Sequence, residues 1–203
     1  MPEMLSLKAA DARRVPWKNG SGVSEELAVF PAGASFESGD FDARISRATI
    51  DRSGPFSAFP GFDRVLVVTS GQGLSLDHAD AAPRAEVKPL EPHAFSGDWT
   101  TNATLANGPV GDFNVLVRRG VRRADVRVCR PVRRPLSVAL EAGDAFVHVL
   151  VGPMIVRSGG DGRMIVVAPN DSLCVRGAKP GDRIQLVGPE DDCVALLARI
   201  ASV

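Results

Sequence analysis

Glycine and proline punctuate this chain at short intervals, and nothing else in the sequence restricts the possible folds so strongly. The 203 residues include 20 glycines and 15 prolines, and the apolar runs between them are short. Short runs bounded by turn residues read as strands of an all-β chain. Strand candidates fall near Leu5–Leu7 and from Val23 to Phe30, with the turn-rich loop Trp17-Lys18-Asn19-Gly20-Ser21-Gly22 between them. Asn-Gly favours turns with positive φ. After the loop 31–39, residues 41–50 alternate about a pleat. Arg44, Ser46 and Ala48 share one face, and Ala43, Ile45 and Arg47 share the other. The loop 51–61 carries Ser53-Gly54-Pro55 and Phe59-Pro60-Gly61. The apolar run Val65–Thr69 reads as a buried strand, and Leu74–Leu76 returns from it. Residues 77–88 read as a polar connection. A last strand runs from Asp112 to Arg118, with Asn114, Leu116 and Arg118 on one side.

The second half echoes the first in outline. VLVVTSGQGLSL finds a counterpart in VHVLVGPMIVRS, KPLEPHAFSGD in VVAPNDSLCVRG, and GDFNVLVRR in DDCVALLARI. Few residues are identical, but the order and spacing of strand, turn and strand agree. A repeated β module of this size predicts two small barrels in tandem. The expected fold is therefore all-β, a tandem double-stranded β-helix (jelly-roll) bicupin. Residues 1–120 form the N-terminal module, residues 121–203 the C-terminal one, and the two are expected to pack closely. The join is placed in the arginine-rich stretch between Arg118 and Arg134.

Several chemistries find little support. Lys+Arg and Asp+Glu balance at 24 each, so net charge gives no general pull toward nucleic acid or anionic membrane. The arginines from Val126 to Arg130 alternate with Val and Cys and have no interleaved aromatics, which suits a solvated edge strand better than a nucleic-acid surface. Three cysteines without a CxxC pair suggest buried thiols in a reducing compartment. His78, His93 and His148 are not close in sequence, so they read as a surface, a loop and a strand histidine, not as metal ligands. There is no Gly-x-Ser-x-Gly elbow and no dinucleotide fingerprint, and Gly159–Gly162 reads as a hairpin tip. The first residues lack the apolar core of a signal peptide, and no run is long enough to span a bilayer, so a cytoplasmic protein is expected.

Arg44 and Arg64 stand where a sheet interior prefers apolar side chains. A buried guanidinium is costly unless it meets an anion or a carboxylate. Either the two arginines pair with Asp42, Asp63 or Glu25, or they grip a carboxylated ligand in bidentate fashion. Ser46 on the face of Arg44, Ser57 in the intervening loop, and Trp17 and Asn19 nearby give such a ligand a pocket.

These residues carry a resemblance. PWKNGSGVSEELAVFP, the segment from Phe41 to Leu76, HAFSGD and GPVGDFNVLVRR are similar to the HutD/Ves family, over about Val15 to Arg119. The Gly-Pro-Phe-Ser-x-Phe-Pro-Gly stretch is its most specific motif. Ser21 stands for a motif glycine, Ser24 for threonine and Ala43 for the tryptophan before Arg44. The resemblance implies a metal-free bicupin that binds a histidine-pathway intermediate and tempers expression of the pathway. It implies the ligand set Trp17, Asn19, Arg44, Ser46, Ser57, Phe59, Arg64, Asp112 and Asn114.

The expected function is thus binding of a small carboxylate, urocanate- or formylglutamate-like, that modulates histidine utilisation. No catalytic residue, metal or cofactor is expected. The expected partner is the small carboxylated molecule, with no nucleic acid and no membrane, and a homodimer is left open. Two alternatives stand beside this reading. One is a metal-free isomerase or lyase, for which Glu25 and Asp112 are the only nearby bases. The other is a protein- or nucleic-acid-binding module using the arginine strip.

Overall fold

The computed structural model describes residues 2–17, 20, 22–131 and 134–203. They form a chain of antiparallel strands with one 3-10 turn at Ala9–Asp11. Among the described residues no helix is long and apolar enough to cross a membrane. The first strands are β1 (Glu3–Leu7), β2 (Arg13–Pro16), β3 (Val23–Phe30), β4 (Ala43–Ile50), β5 (Gly54–Pro55) and β6 (Phe62–Ser70). Then come β7 (Leu74–Asp77), β8 (Ala85–Val87), β9 (His93–Ser96), β10 (Asn102–Leu105), β11 (Val110–Arg118) and β12 (Arg122–Cys129). The remainder are β13 (Leu136–Ala139), β14 (Gly143–Val151), β15 (Met154–Ser158), β16 (Met164–Val167), β17 (Ser172–Ala178), β18 (Arg183–Val187) and β19 (Val194–Ser202).

The chain divides into two compact units. One is Ala12–Arg123, and the other combines Met1–Asp11 with Ala124–Val203. In the first, a sheet ordered β2-β3-β4-β11-β6-β9 faces a smaller one ordered β5-β10-β7-β8. In the second, the orders are β1-β17-β14-β19-β12 and β13-β18-β15-β16. The strand run β4-β11-β6-β9 thus corresponds to β12-β19-β14-β17, and the two smaller sheets correspond strand for strand. The fold is a bicupin of tandem jelly rolls, and the echoing segments of the sequence are its equivalent strands.

Each unit has its core between its own two sheets. In the Ala12–Arg123 unit, Leu66 and Val68 of β6 meet Leu74 and Leu76 of β7, with Ile50, Val87, Ala103 and Val110 completing the cluster. In the other unit, Val147, Val149, Leu173, Val175 and Leu197 meet Val156, Val167, Ile184 and Leu186. Full burial of an aliphatic side chain is worth about 1.5–3 kcal/mol, so these clusters are ample to hold the sheets together.

The chain's first strand departs from the expected division. Residues 1–120 were expected to form one module, yet β1 runs antiparallel to β17, Glu3 opposite Arg176 through Leu7 opposite Ser172. Met4 enters the core of the Ala124–Val203 portion. Lys8 Nζ and the Ala9 amide then donate to the Asp171 carboxylate at 2.8 and 2.9 Å. Alternation shows that a segment is a strand; it does not show which sheet edge completes it. The segment 77–88 also departs from the polar connection expected, since it contains β8, whose Val87 is buried. The strip's strand β12 lies at a sheet edge, as its alternation suggested. All three cysteines are buried.

Because β1 supplies core to the second unit, Met4→Ala is expected to cost about 2–4 kcal/mol. Urea unfolding checks this. A loss below about 0.5 kcal/mol, the size usual for surface substitutions, would mean that β1 is only loosely attached.

Candidate ligand-binding cavity

The inner faces of β4, β6 and β11 are divided along their length. At one end they carry the apolar side chains Ile50, Leu66, Val68 and Val110. At the other they carry Arg44, Ser46, Arg64, Asp112 and Asn114, which line a cavity open to solvent at its mouth. Trp17, Phe36, Phe56 and Phe59 supply aromatic walls, and Ser24, Ser57 and Leu116 complete much of the lining. Antiparallel register makes the polar group: β11 sets Asn114 opposite Ser46 on one side and Leu66 on the other, and Leu116 opposite both Arg44 and Arg64. Each of these polar side chains is buried.

Two register shifts occur beside polar residues of the cavity. One falls between Glu26 and Ala28 of β3, the other between Gly111 and Asp112 of β11. Such bulges re-aim side chains that a regular pleat would point elsewhere. Glu26 lies opposite Ser46 and accepts from Arg44 Nε at 2.8 Å. The pair is almost wholly buried, 5% and 9% exposed. Phe36 covers the Arg44 guanidinium at 4.2 Å.

Arg64 is held differently. Its Nη2 donates to Asn114 Oδ1 at 3.0 Å and its Nη1 to the Ser57 carbonyl at 3.2 Å. Phe56, Phe59 and Phe95 surround the guanidinium at 5.2, 5.4 and 5.0 Å from their ring centres. Arg64 Nε is buried and has no hydrogen-bond partner among the described residues. Asn114 passes the chain on, its Nδ2 donating to Asp112 Oδ2. Asp112 Oδ1 is likewise buried without a partner among the described residues. Burial pulls Arg64 down to about 10, against the attraction of Asp112 and with a further push from Arg44. Burial pushes the Asp112 carboxyl up to about 6, opposed by the Asn114 hydrogen bond, the charge of Arg64 and the Ala48 amide. The site therefore has an orphaned cationic donor, an orphaned acceptor and a carboxyl that changes charge near neutrality.

Eight of the nine residues singled out from sequence line this cavity: Trp17, Arg44, Ser46, Ser57, Phe59, Arg64, Asp112 and Asn114. Asn19 lies outside the described residues. The carboxylates considered as partners for the two arginines are engaged elsewhere. Glu25 pairs with Arg47, Asp42 with Arg118 and Asp63 with Arg119. Glu26 was missed. The available signal was its period-two relation to Ser24 on a strand beside one carrying an arginine, and the bulge after it made the final placement unreadable.

His78 and His93 also differ from expectation, the second because it opens β9. His78 is buried, not on the surface, and its Nδ1 lies 3.0 Å from Thr101 Oγ1. Its ring stacks on that of His93, 5.9 Å between centres. His148 is in the other unit, bonded to Ser172. Among the described residues no group of three or more His, Cys, Asp or Glu is arranged to hold a metal ion.

The HutD family model matches residues 9–194. The chain belongs to the HutD family. An uncharacterised 21.2 kDa protein of Pseudomonas putida, from the hutC 3' region, is 36% identical over 164 residues, 78% of this chain and 84% of that protein. Protein Ves of Escherichia fergusonii is 35% identical over 122 residues, 58% of this chain and 61% of that protein. Among solved structures, HutD from Pseudomonas fluorescens SBW25 (formate condition) superposes with a TM-score of 0.79 at 29% identity, covering 99% of this chain and 100% of that one. A likeness to protein Ylba of E. coli, TM-score 0.70 at 10% identity over 98% of this chain and 91% of that one, concerns the fold alone.

The HutD motifs have structural reasons here. A Cβ on Gly22 would lie 2.8 Å from the Trp17 ring, so glycine lets the indole lie across β3. The indole Nε1 donates to Ser24 Oγ at 2.9 Å, so the serine in place of threonine keeps an acceptor. Ser21 lies outside the described residues, and Ala43 is fully buried. A Cβ on Gly97 would sit 2.6 Å from the Phe59 carbonyl, where the Ser96-Gly97-Asp98 turn clasps the Phe59-Pro60-Gly61 loop. Asp98 accepts from the Gly61 amide at 2.6 Å, and Arg119 ties Asp98 to Asp63. The clasp fixes Phe59 at the cavity wall.

Two outcomes follow for stability. Arg44→Met leaves the Glu26 charge buried alone and is expected to cost about 3–5 kcal/mol. The double variant with Glu26→Gln should recover at least half of that in urea unfolding, and no recovery would show that the pair is not the unit. For Asp112, the folded carboxyl holds its proton to a higher pH than the unfolded one, about 6 against 3.8. Between those values the native state binds more protons, so its stability falls as pH rises. Relative to Asp112→Asn, the wild-type protein should lose about 1–3 kcal/mol between about pH 4 and pH 6.5. Parallel curves for the two proteins would contradict this.

Proposed function

We propose that the cavity binds a small carboxylated molecule, urocanate- or formylglutamate-like, and that through it the protein modulates histidine utilisation without catalysing a step. The observation that carries this reading is Arg64. Its guanidinium is buried, and its Nε donor has no partner among the described residues. Donors of that kind are paired in folded proteins, and a carboxylate is the matching acceptor. Arg44 is already engaged by Glu26. The cavity therefore favours one carboxylate over two, together with an N–H group to meet Asp112 Oδ1 and a flat body between the aromatic walls. A urocanate-like acid fits that description better than a dicarboxylate. The placing of a P. putida relative in the hutC 3' region supports the link to the histidine pathway.

A second reading draws on one observation. A carboxyl buried in a cavity and titrating near 6 is suited to general acid–base work. Turnover of either candidate by the purified protein, lost in Asp112→Asn, would move the protein to a metal-free isomerase or lyase.

Thermal melting with urocanate and with N-formylglutamate separates these cases. At a hundredfold excess over Kd, urocanate should raise Tm by about 5–10 °C. Arg64→Ala should fold, because Asp112 can take a proton once the cation is gone, and should abolish the shift. No shift with either acid, or a shift that survives Arg64→Ala, would overturn the reading.

A further inference from the structure

Two cations, Arg44 and Arg64, face two carboxylates, Glu26 and Asp112, in and behind the cavity lining. A carboxylate ligand adds a negative charge to a place where burial makes net charge costly. A resident carboxylate must then either take a proton or be stabilised by a hydrogen-bond donor that the ligand brings. Glu26 is bonded to Arg44 Nε at 2.8 Å, and neutralising it would orphan that arginine. Asp112 is free to change. Its Oδ2 accepts from Asn114, and its buried Oδ1 has no partner among the described residues. A proton on Oδ1 removes the surplus charge and converts an acceptor into a donor.

We propose, resting on the carboxylate-binding reading above, that Asp112 determines specificity by exchanging a proton with the ligand's needs. An acid with no donor of its own is bound together with one proton, taken from solvent onto Asp112 Oδ1. An acid that presents an N–H or O–H to Oδ1 is bound with Asp112 ionised and no proton taken up. No other bond is made or broken.

The charged group acting on Asp112 is Arg64 from β6; Arg44 from β4 acts in turn on Arg64 and is paired with Glu26 of β3. The lining contributed by residues 15–17 and 55–59 contains no side chain that titrates between mildly acid and neutral pH. His78 and His93 do not line the cavity; burial lowers both. The carboxyl itself, held up at about 6 by burial, lies close enough to neutrality for a ligand to tip it. The rule explains how a cavity with one available cation can tell a flat acid bearing an N–H from its donor-free analogue. The former is taken up equally well over neutral pH, the latter more tightly as pH falls.

Calorimetry tests this with two probes that do not titrate near neutrality: trans-cinnamate, which has no donor, and 3-(pyrrol-2-yl)acrylate, which has a neutral N–H. Each is measured at about pH 7.5 in two buffers of different ionisation enthalpy, which counts protons. Cinnamate should bind with uptake of about one proton, and its affinity should rise about tenfold per pH unit as pH falls toward the Asp112 value. The pyrrole acid should bind with no uptake. In Asp112→Asn, cinnamate binding should lose both the uptake and the pH slope. Cinnamate bound without proton uptake by the wild-type protein overturns the proposal and leaves the carboxylate reading standing; that measurement needs no variant. Uptake that persists in Asp112→Asn also overturns it. If neither probe binds between about pH 5.5 and pH 8, the carboxylate reading fails and this proposal fails with it.

Discussion

Two guanidinium groups inside one jelly roll set the terms for the rest of the Ala12–Arg123 unit. A buried cation must be compensated, and the unit compensates its two arginines by different means. Arg44 has a dedicated carboxylate, Glu26, brought to it by a bulge in β3. Arg64 has only neutral acceptors, Asn114 and the Ser57 carbonyl, with Asp112 one hydrogen bond further on. The first arrangement is a closed pair that shapes the wall. The second leaves a donor and an acceptor unspent, the condition in which a small polar ligand gains most from binding.

The second unit shows what the same strands become without that demand. By strand pairing, Arg64 opposite Leu116 corresponds to Ala145 opposite Arg199, and Asn114 opposite Leu66 to Leu197 opposite Val147. Asp112 corresponds likewise to Ala195. Ala145, Ala195 and Leu197 all belong to an apolar core. At these positions the duplicated fold is thus put to two uses, an apolar core in one unit and a polar cavity lining in the other. The apolar core stabilises its unit, whereas the polar lining holds desolvated charge at a cost. Functional sites commonly carry that kind of cost.

The HutD signature is mostly a set of devices for building the wall of the cavity. Gly22 makes room for the Trp17 indole, and Gly97 lets the Ser96–Asp98 turn close on the loop that carries Phe59. Asp98 and Arg119 then lock that turn. Few of these residues can touch a ligand, yet each decides where a side chain that lines the cavity stands. Motif residues of this kind are readable in sequence as turn chemistry and become intelligible only through what they hold in place.

The sequence by itself determined the fold class, the duplication and most of the site's membership. Period-two alternation assigns residues of one strand to a face without reference to any other strand, so Arg44 with Ser46 and Asp112 with Asn114 could be grouped in advance. Turn residues mark where strands end, and the echo between halves follows from that punctuation. Tertiary structure alone decided the pairings. Arg44 meets Glu26 across 18 positions of sequence, beside a bulge in β3, and Arg64 meets Asn114 across 50, through the register of β6 on β11. The same holds for β1, whose alternation is legible but whose partner edge is β17, and for His78, which a polar-looking segment carries into a buried stack on His93. Local pattern fixes which way a side chain points along its own strand, but which charge it meets is set by strands far away in the chain.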